Sequence, residues 1–228
     1  MKIEKHSSSL PPDADTKSAS YYNRFTQTYL DNNQNPSDFI DQFLGLLRQD
    51  NDKSADRKMI LDLGCGPGVN AKYMDSKNFQ VIGIDLSKKM IGYARKAHSH
   101  IEFRVGDMTE LHFSASSFDG ILATFSLIHL TKEKVPPVLT KLYEILKPGG
   151  IMYISVQSGE SSQGLFTHPL TPSEQIFLNI FSKEEILNLL SEHGFEVVSQ
   201  HEKLPQGRVF NFTKLFILAK KPAPLQQA

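Results

Sequence analysis

Residues 59–68 read MILDLGCGPG, an apolar strand that ends in an acid, Asp62, and runs straight into a glycine-rich turn. Seventeen residues beyond Gly68 a second strand, FQVIGID at 79–85, ends in another acid, Asp85. Gly64, Gly66 and Gly68 let the backbone turn sharply and approach a ligand closely, because no Cβ intervenes. Asp85 falls where a carboxylate can accept hydrogen bonds from both hydroxyls of a ribose. Together the two strands imply a nucleoside-containing cofactor at the carboxyl edge of a parallel sheet.

The spacing separates two readings. The dinucleotide fingerprint needs glycine at its first, third and sixth positions, and the sixth here is Val69. A pyrophosphate also prefers the positive end of a helix with no acid close by, yet Asp62 precedes this turn. GCGPG between an acid-tipped strand and a helix instead resembles the first motif of the class I S-adenosylmethionine-dependent methyltransferases. The resemblance is strong over residues 60 to 156 and weaker in the flanks. GDMTEL at 106–111 resembles the third motif and FDGILATFSLIHL at 118–130 the fourth. KLYEILKPGGIMYIS at 141–155 resembles the helix–proline–glycine–strand stretch that leads into the fifth strand.

The resemblance implies S-adenosylmethionine as cofactor and S-adenosylhomocysteine as product. It assigns Gly64, Cys65 and Gly66 to the turn around the methionine part, with Asp62 orienting the loop and the amino group. Asp85 would take the ribose, and Leu86 or Met90 would flank the adenine. Asp107 would accept from the adenine amino group, Met108 would lie against the ring, and the backbone N–H that follows a carboxylate can serve the ring nitrogen. Thr124 closes the fourth strand at the same edge. Tyr22 and Tyr29 resemble an N-terminal aromatic motif that closes a helix over the cofactor; packing aromatics is the competing reading. Cys65 reads as a small residue that the turn accepts, since no neighbouring base would generate a thiolate.

His129 is the catalytic candidate. It follows the fourth strand near where the methyl group should point, and histidine can accept a proton near neutral pH. A structural hydrogen bond is its competing role. Phe166, His168, Phe181 and Arg208 lie on segments expected to roof an acceptor pocket. Thr124-Phe125-Ser126-Leu127 does not resemble the motif of amino-methylating nucleic-acid enzymes, and no metal triad of the catechol type is evident. A small-molecule acceptor is therefore expected. The rivals are a macromolecular methyltransferase, a non-catalytic cofactor-binding module and, weakest, a nicotinamide oxidoreductase.

Composition sets bounds. Lysine plus arginine equals aspartate plus glutamate, 25 each, which argues against a nucleic-acid partner. The one cysteine excludes an internal disulfide framework and fits a reducing compartment. No apolar run reaches membrane-spanning length and no cysteine–histidine cluster has zinc spacing. A cytoplasmic protein without metal or membrane partner, monomer or homodimer, is expected.

The predicted architecture is α/β, Rossmann-like and doubly wound, around a mostly parallel seven-stranded sheet whose last strand is antiparallel. The strands are expected at 58–63, 79–84, 101–105, 118–123 and 150–156, with helices near 69–76, 87–97, 126–131 and 134–146. FEVVSQH and KLFILAK, joined without a helix, predict an antiparallel pair. Residues 1–20 read as a flexible arm and 21–57 as a helical cap, with Ser37 capping its second helix. The main domain spans 58–222, interrupted at about 157–182 by a lid-like insertion that His168-Pro169 and Thr171-Pro172 should keep irregular.

Overall fold

The computed structural model describes residues 14–48, 56–205 and 212–224. Alternation of strand and helix begins at β1 (Met59–Leu63), followed by α4 (Val69–Ser76), β2 (Gln80–Asp85), α5 (Lys88–Ala97) and β3 (Glu102–Val105). Three helices precede it: α1 (Ala14–Arg24), α2 (Thr26–Asn32) and α3 (Ile40–Arg48). Then come β4 (Phe118–Thr124), α6 (Val135–Ile145), β5 (Leu146–Ser158), β6 (Ser162–His168) and β7 (Thr171–Ile180). The chain closes with α7 (Lys183–Glu192), β8 (Glu196–Lys203) and β9 (Thr213–Lys220).

The main sheet runs β3-β2-β1-β4-β5-β9-β8, with β9 antiparallel to both neighbours and the other pairs parallel. Strand order reverses between β1 and β4, and the glycine turn leaves β1 at this switch point, the usual place for a ligand in an open α/β sheet. The central strands are buried on both faces, which is why they read as continuous apolar runs. Leu61, Ile121, Ile154 and Ile217 pack with Leu139 and Leu142 of α6 on one face. Ile60, Leu122, Tyr153 and Leu218 pack with Phe43 and Leu47 of α3 and Met74 of α4 on the other.

Helix ends follow local chemistry. Ser87 Oγ accepts the Met90 N–H at 3.2 Å and starts α5. Ser182 and Glu185 form a reciprocal capping box on α7. Pro136 and Pro137 fall in the first turn of α6, where missing N–H groups cost nothing.

The cap and the insertion differ from expectation. Helix α1 begins by Ala14, so residues 14–20 are not an arm; Ser18 and Tyr21 are buried and hold it against the body. The helix breaks at Phe25, splitting the expected single element into α1 and α2. Ser37 does not cap α3, because Phe39 takes φ 62 and delays the helix to Ile40. The Ser37 hydroxyl instead meets Tyr153 Oη at 3.1 Å. Residues 126–131 form only a 3₁₀ turn, Leu127–His129, because Phe125 at φ 50 bends the chain first. The insertion is a two-stranded antiparallel hairpin, β6–β7, rather than an irregular loop. Pro169 falls in its turn and Pro172 at an exposed strand end, while Ile176, Leu178 and Ile180 pack onto the core. Residues 1–13, 49–55 and Arg208 lie outside the described residues.

Candidate active site

A cavity of about 650 Å³ opens at the switch point, between the carboxyl ends of β1, β2 and β4 below and α1, α2 and the hairpin above. Its floor is the glycine turn. Gly64 (φ 76) and Gly66 (φ 52) are both left-handed, and the Gly64 and Cys65 N–H groups donate to the Ile84 carbonyl at 2.8 and 3.0 Å. A Cβ at Gly64 would overlap Ser126. A Cβ at Gly66 would meet only the Tyr29 ring, at 3.9 Å, so this stretch of backbone faces the cavity.

Asp85 ends β2 at the cavity wall and braces the turn. Its Oδ2 accepts the Gly66 N–H at 2.9 Å and its Oδ1 the Ser87 N–H at 2.8 Å. Burial pushes its pKa up, and these two backbone bonds pull it back. Asp62 is a different acid: it is 0% exposed, beneath the turn rather than in the cavity wall, and neither oxygen has a hydrogen-bond partner. Burial first and the Asp85 charge second push it up to about 7; the Ala71 N–H opposes this but falls short of a hydrogen bond.

The sign of that shift fixes a pH effect. Between about pH 4 and pH 7 the folded chain holds a proton on Asp62 that the unfolded chain has lost. The penalty for burying this carboxyl is absent below that window, grows through it and is complete above it. Asp85 adds in the same direction, while Tyr29 and Cys65, also packed here, ionise well above it. The melting temperature of the ligand-free protein is expected to fall between pH 5 and 7.5, and Asp62→Asn to flatten that fall; an unchanged slope would contradict a raised Asp62.

Leu86, Met90, Asp107, Met108 and Thr124 continue the wall from Asp85. Asp107 Oδ1 accepts from both the N–H and the hydroxyl of Thr109, at 2.8 Å each, which fixes the carboxylate. Tyr29 covers the glycine turn; burial and the nearby Asp85 push its phenol up to about 12. Burial likewise raises the Cys65 thiol, so no thiolate forms there.

Tyr22 and His129 meet across the roof. The Phe177 carbonyl, 3.1 Å from His129 Nδ1, can only accept, so Nδ1 carries the proton of the neutral ring. Nε2 is then the acceptor for the Tyr22 hydroxyl at 3.0 Å. Burial raises the Tyr22 pKa well above its usual value and keeps the phenol neutral. His168 lies in the wall with its ring 4.7 Å from that of Tyr21, and its pKa is lowered by burial.

Two expected roof residues are elsewhere. Phe181 is 0% exposed in the core, and Phe166 packs edge-on against Phe212 at 5.5 Å; neither reaches the cavity. Contacts in and around the wall come from distant parts of the chain. Asn70 links the Ser37 N–H to Thr124 Oγ1, at 2.8 and 3.1 Å, tying the cap to β4. Asn23 Oδ1 accepts from Ser87 Oγ and the Lys89 N–H, at 2.8 and 3.1 Å, joining α1 to the start of α5. Tyr21 bonds Thr171 at 2.7 Å and Arg24 pairs with Glu174 at 2.7 Å, joining α1 to the hairpin. These links cross up to 150 residues of chain, and no local pattern announces them.

Comparison with known proteins agrees with this geometry. A family model described as "Methyltransferase domain" matches residues 60–150. An uncharacterized methyltransferase of Synechocystis sp. is 30% identical over 150 residues, covering 62% of this chain and 68% of that one. An O-methyltransferase of Penicillium expansum is 29% identical over 153 residues, 61% of this chain and 52% of that one. The Burkholderia thailandensis 1,6-didemethyltoxoflavin N1-methyltransferase, solved with that substrate and S-adenosylhomocysteine, superposes with a TM-score of 0.64. It is 20% identical and covers 97% of this chain and 98% of that chain. The chain belongs to the class I S-adenosylmethionine-dependent methyltransferases. It spans between 20% and 68% of the length of the first curated relatives it matches.

S-adenosylmethionine is the cofactor of that family, and the wall fits such a molecule. Open glycine backbone forms the floor, and buried polar atoms of Ser18, Ser126 and Gln157 lie in the cavity wall without hydrogen-bond partners. Among the described residues there is no cluster able to hold a metal ion, and no helix long and apolar enough to cross a membrane.

Proposed function

We propose that the protein transfers a methyl group from S-adenosylmethionine to a small-molecule acceptor. The observation that carries this reading is the roofed cavity of about 650 Å³, within the range of roughly 300–1,000 Å³ usual for small-molecule sites. Helix α1 and the hairpin cover it, and a macromolecular acceptor needs an open cleft. A relative named for phosphoethanolamine and a structural neighbour named for 1,6-didemethyltoxoflavin, both small acceptors, support the same class.

When bound, S-adenosylmethionine supplies a sulfonium-activated methyl group, which a nucleophile takes by in-line displacement while the bonding electrons stay on sulfur. The chain supplies position and dryness, and alignment of this kind is worth roughly 7–11 kcal/mol. In this reading Asp85 holds the ribose, and Asp107 and Met108 hold the adenine. Leu86 and Met90 pack against it, and the Gly64–Gly66 backbone with Thr124 borders the methionine part. Asp62 lies beneath the turn, and Tyr29 shields it from above. Tyr22 and His129 stand at the acceptor end, where a proton leaving the acceptor passes to Tyr22 Oη as its own proton moves to His129 Nε2.

The test is calorimetric titration with S-adenosylmethionine and S-adenosylhomocysteine, followed by a screen of small acceptors for S-adenosylhomocysteine release. Micromolar binding with turnover supports the reading; folded protein that binds neither nucleoside overturns it. Tyr22→Phe is expected to lower kcat roughly 100-fold, with cofactor affinity changed less than about threefold. An unaltered kcat would take Tyr22 out of the proton path.

A further inference from the structure

One end of the cavity holds an ammonium group that, among the described residues, forms no ion pair. Gln157 on β5 and Lys214 on β9 are directly opposite in the antiparallel register. Residues so paired have Cβ atoms roughly 4.5–5.5 Å apart on one face of the sheet. Both line the cavity. Gln157 is 6% exposed, yet its Oε1 has no hydrogen-bond partner. A buried acceptor of this kind is costly unless something bonds it.

Lys214 reaches over an aromatic platform. Its Nζ is 5.6 Å from the centroid of the Phe125 ring, and the Phe216 ring is 5.9 Å from Phe125. Phe125 is held at φ 50, an outlying conformation for an aromatic residue, by its N–H bond to the Ser155 carbonyl at 2.9 Å. Such strain persists where the surroundings enforce it, and it gathers at binding sites. The next residue, Ser126, is the one that packs on Gly64, so the platform adjoins the glycine turn.

Among the described residues the charges of the wall do not balance at this end. Among the described residues Lys214 is the one lysine or arginine in the cavity lining, and no ion pair reaches it. The lining acids are otherwise engaged: Asp38 pairs with Lys203 at 2.6 Å, Asp85 accepts two backbone N–H groups, and Asp107 is bonded by Thr109. S-adenosylmethionine carries a sulfonium and an ammonium against one carboxylate, so its binding adds one net positive charge to a wall that already holds Lys214, and an anion on the acceptor offsets it.

We infer that the acceptor carries an anionic group, a carboxylate or a phosphate, anchored by Lys214, an inference that rests on the methyl-transfer reading above. The Gln157 carboxamide oxygen takes a hydrogen bond from a hydroxyl or amine on the same molecule. The face of Phe125 carries its apolar part.

Benzoate and inorganic phosphate serve as probes, with benzamide as the neutral counterpart of benzoate. Each is titrated calorimetrically into the full chain, alone and saturated with S-adenosylhomocysteine. At least one anion is expected to bind, and which one distinguishes a carboxylate from a phosphate acceptor. Lys214→Met should weaken that binding about tenfold or more, and Lys214→Arg should retain it within about threefold. S-adenosylhomocysteine affinity, unchanged in both variants, reports that the fold is intact. Binding of neither anion, benzamide binding as well as benzoate, or anion binding that survives Lys214→Met overturns the inference. Failure to bind S-adenosylhomocysteine sinks the methyl-transfer reading instead, and the titrations on cofactor-free protein still decide the anion site.

Discussion

An Asp85→Ala variant is expected to lose S-adenosylmethionine affinity by about two orders of magnitude or more, measured calorimetrically against the unaltered chain. The carboxylate has four lone-pair sites, and the Gly66 and Ser87 N–H groups use two of them. The remaining two can accept the ribose hydroxyls. Hydrogen bonds to a charged group are worth about 1.5–3 kcal/mol each, so losing two costs about 3–6 kcal/mol, or roughly 10²–10⁴ in affinity. The substitution also frees the glycine turn from β2 and leaves two N–H groups to find new partners. Melting temperature should therefore fall as well, and Asp85→Asn, which keeps one carbonyl acceptor, should lie between the two. Affinity within threefold of the unaltered chain would remove Asp85 from the ribose site.

Gly64→Ala carries the second large effect, on stability and binding together. Left-handed backbone at φ 76 costs a residue with a Cβ about 1–2 kcal/mol. The added methyl also overlaps the Ser126 Cβ, and forced overpacking costs about 1–3 kcal/mol more. A loss of about 2–5 kcal/mol is a large fraction of the 5–15 kcal/mol that holds an ordinary domain together. The matched control is Gly92→Ala on α5, where an added Cβ meets nothing within 4 Å and helix propensity favours alanine. Denaturant unfolding should show Gly64→Ala strongly destabilised and Gly92→Ala equal to or above the unaltered chain. Equal stability of all three would mean that the turn relaxes around the methyl group.

The sheet and its ligand edge were legible because they are written locally. MILDLGCGPG and FQVIGID each carry strand, turn and acid within about ten residues, and the register then brings Asp85 to Gly66 without help from distant chain. The cap and the roof were not legible, for three different physical reasons. Residues 14–20 are polar enough to read as an arm, and only the burial of Ser18 and Tyr21 against other elements makes a helix of them. At Ser37 the capping chemistry was present, but the strained Phe39 moved the helix start out of its reach. In the hairpin, the prolines at 169 and 172 sit in the turn and at an exposed strand end, the two places where a two-stranded sheet tolerates them. The buried run Ile176–Phe181 hides the alternation that normally identifies a strand. Asn23, Asn70 and Lys214 carry no motif at all. They join the site through tertiary contacts, and the orphan Gln157 oxygen opposite Lys214 becomes visible only once β5 and β9 are paired.

The bonds made by α1 have a thermodynamic consequence. Asn23 fastens the helix to the start of α5, beside Asp85, while Tyr21, Tyr22 and Arg24 fasten it to the hairpin and to His129. One short element therefore serves both ends of the cavity. A ligand that tightens this element at one end is expected to leave less tightening for a ligand at the other end to supply. In the methyl-transfer reading, cofactor and acceptor are therefore expected to be linked, each raising the affinity of the other by the same factor with no contact between them required.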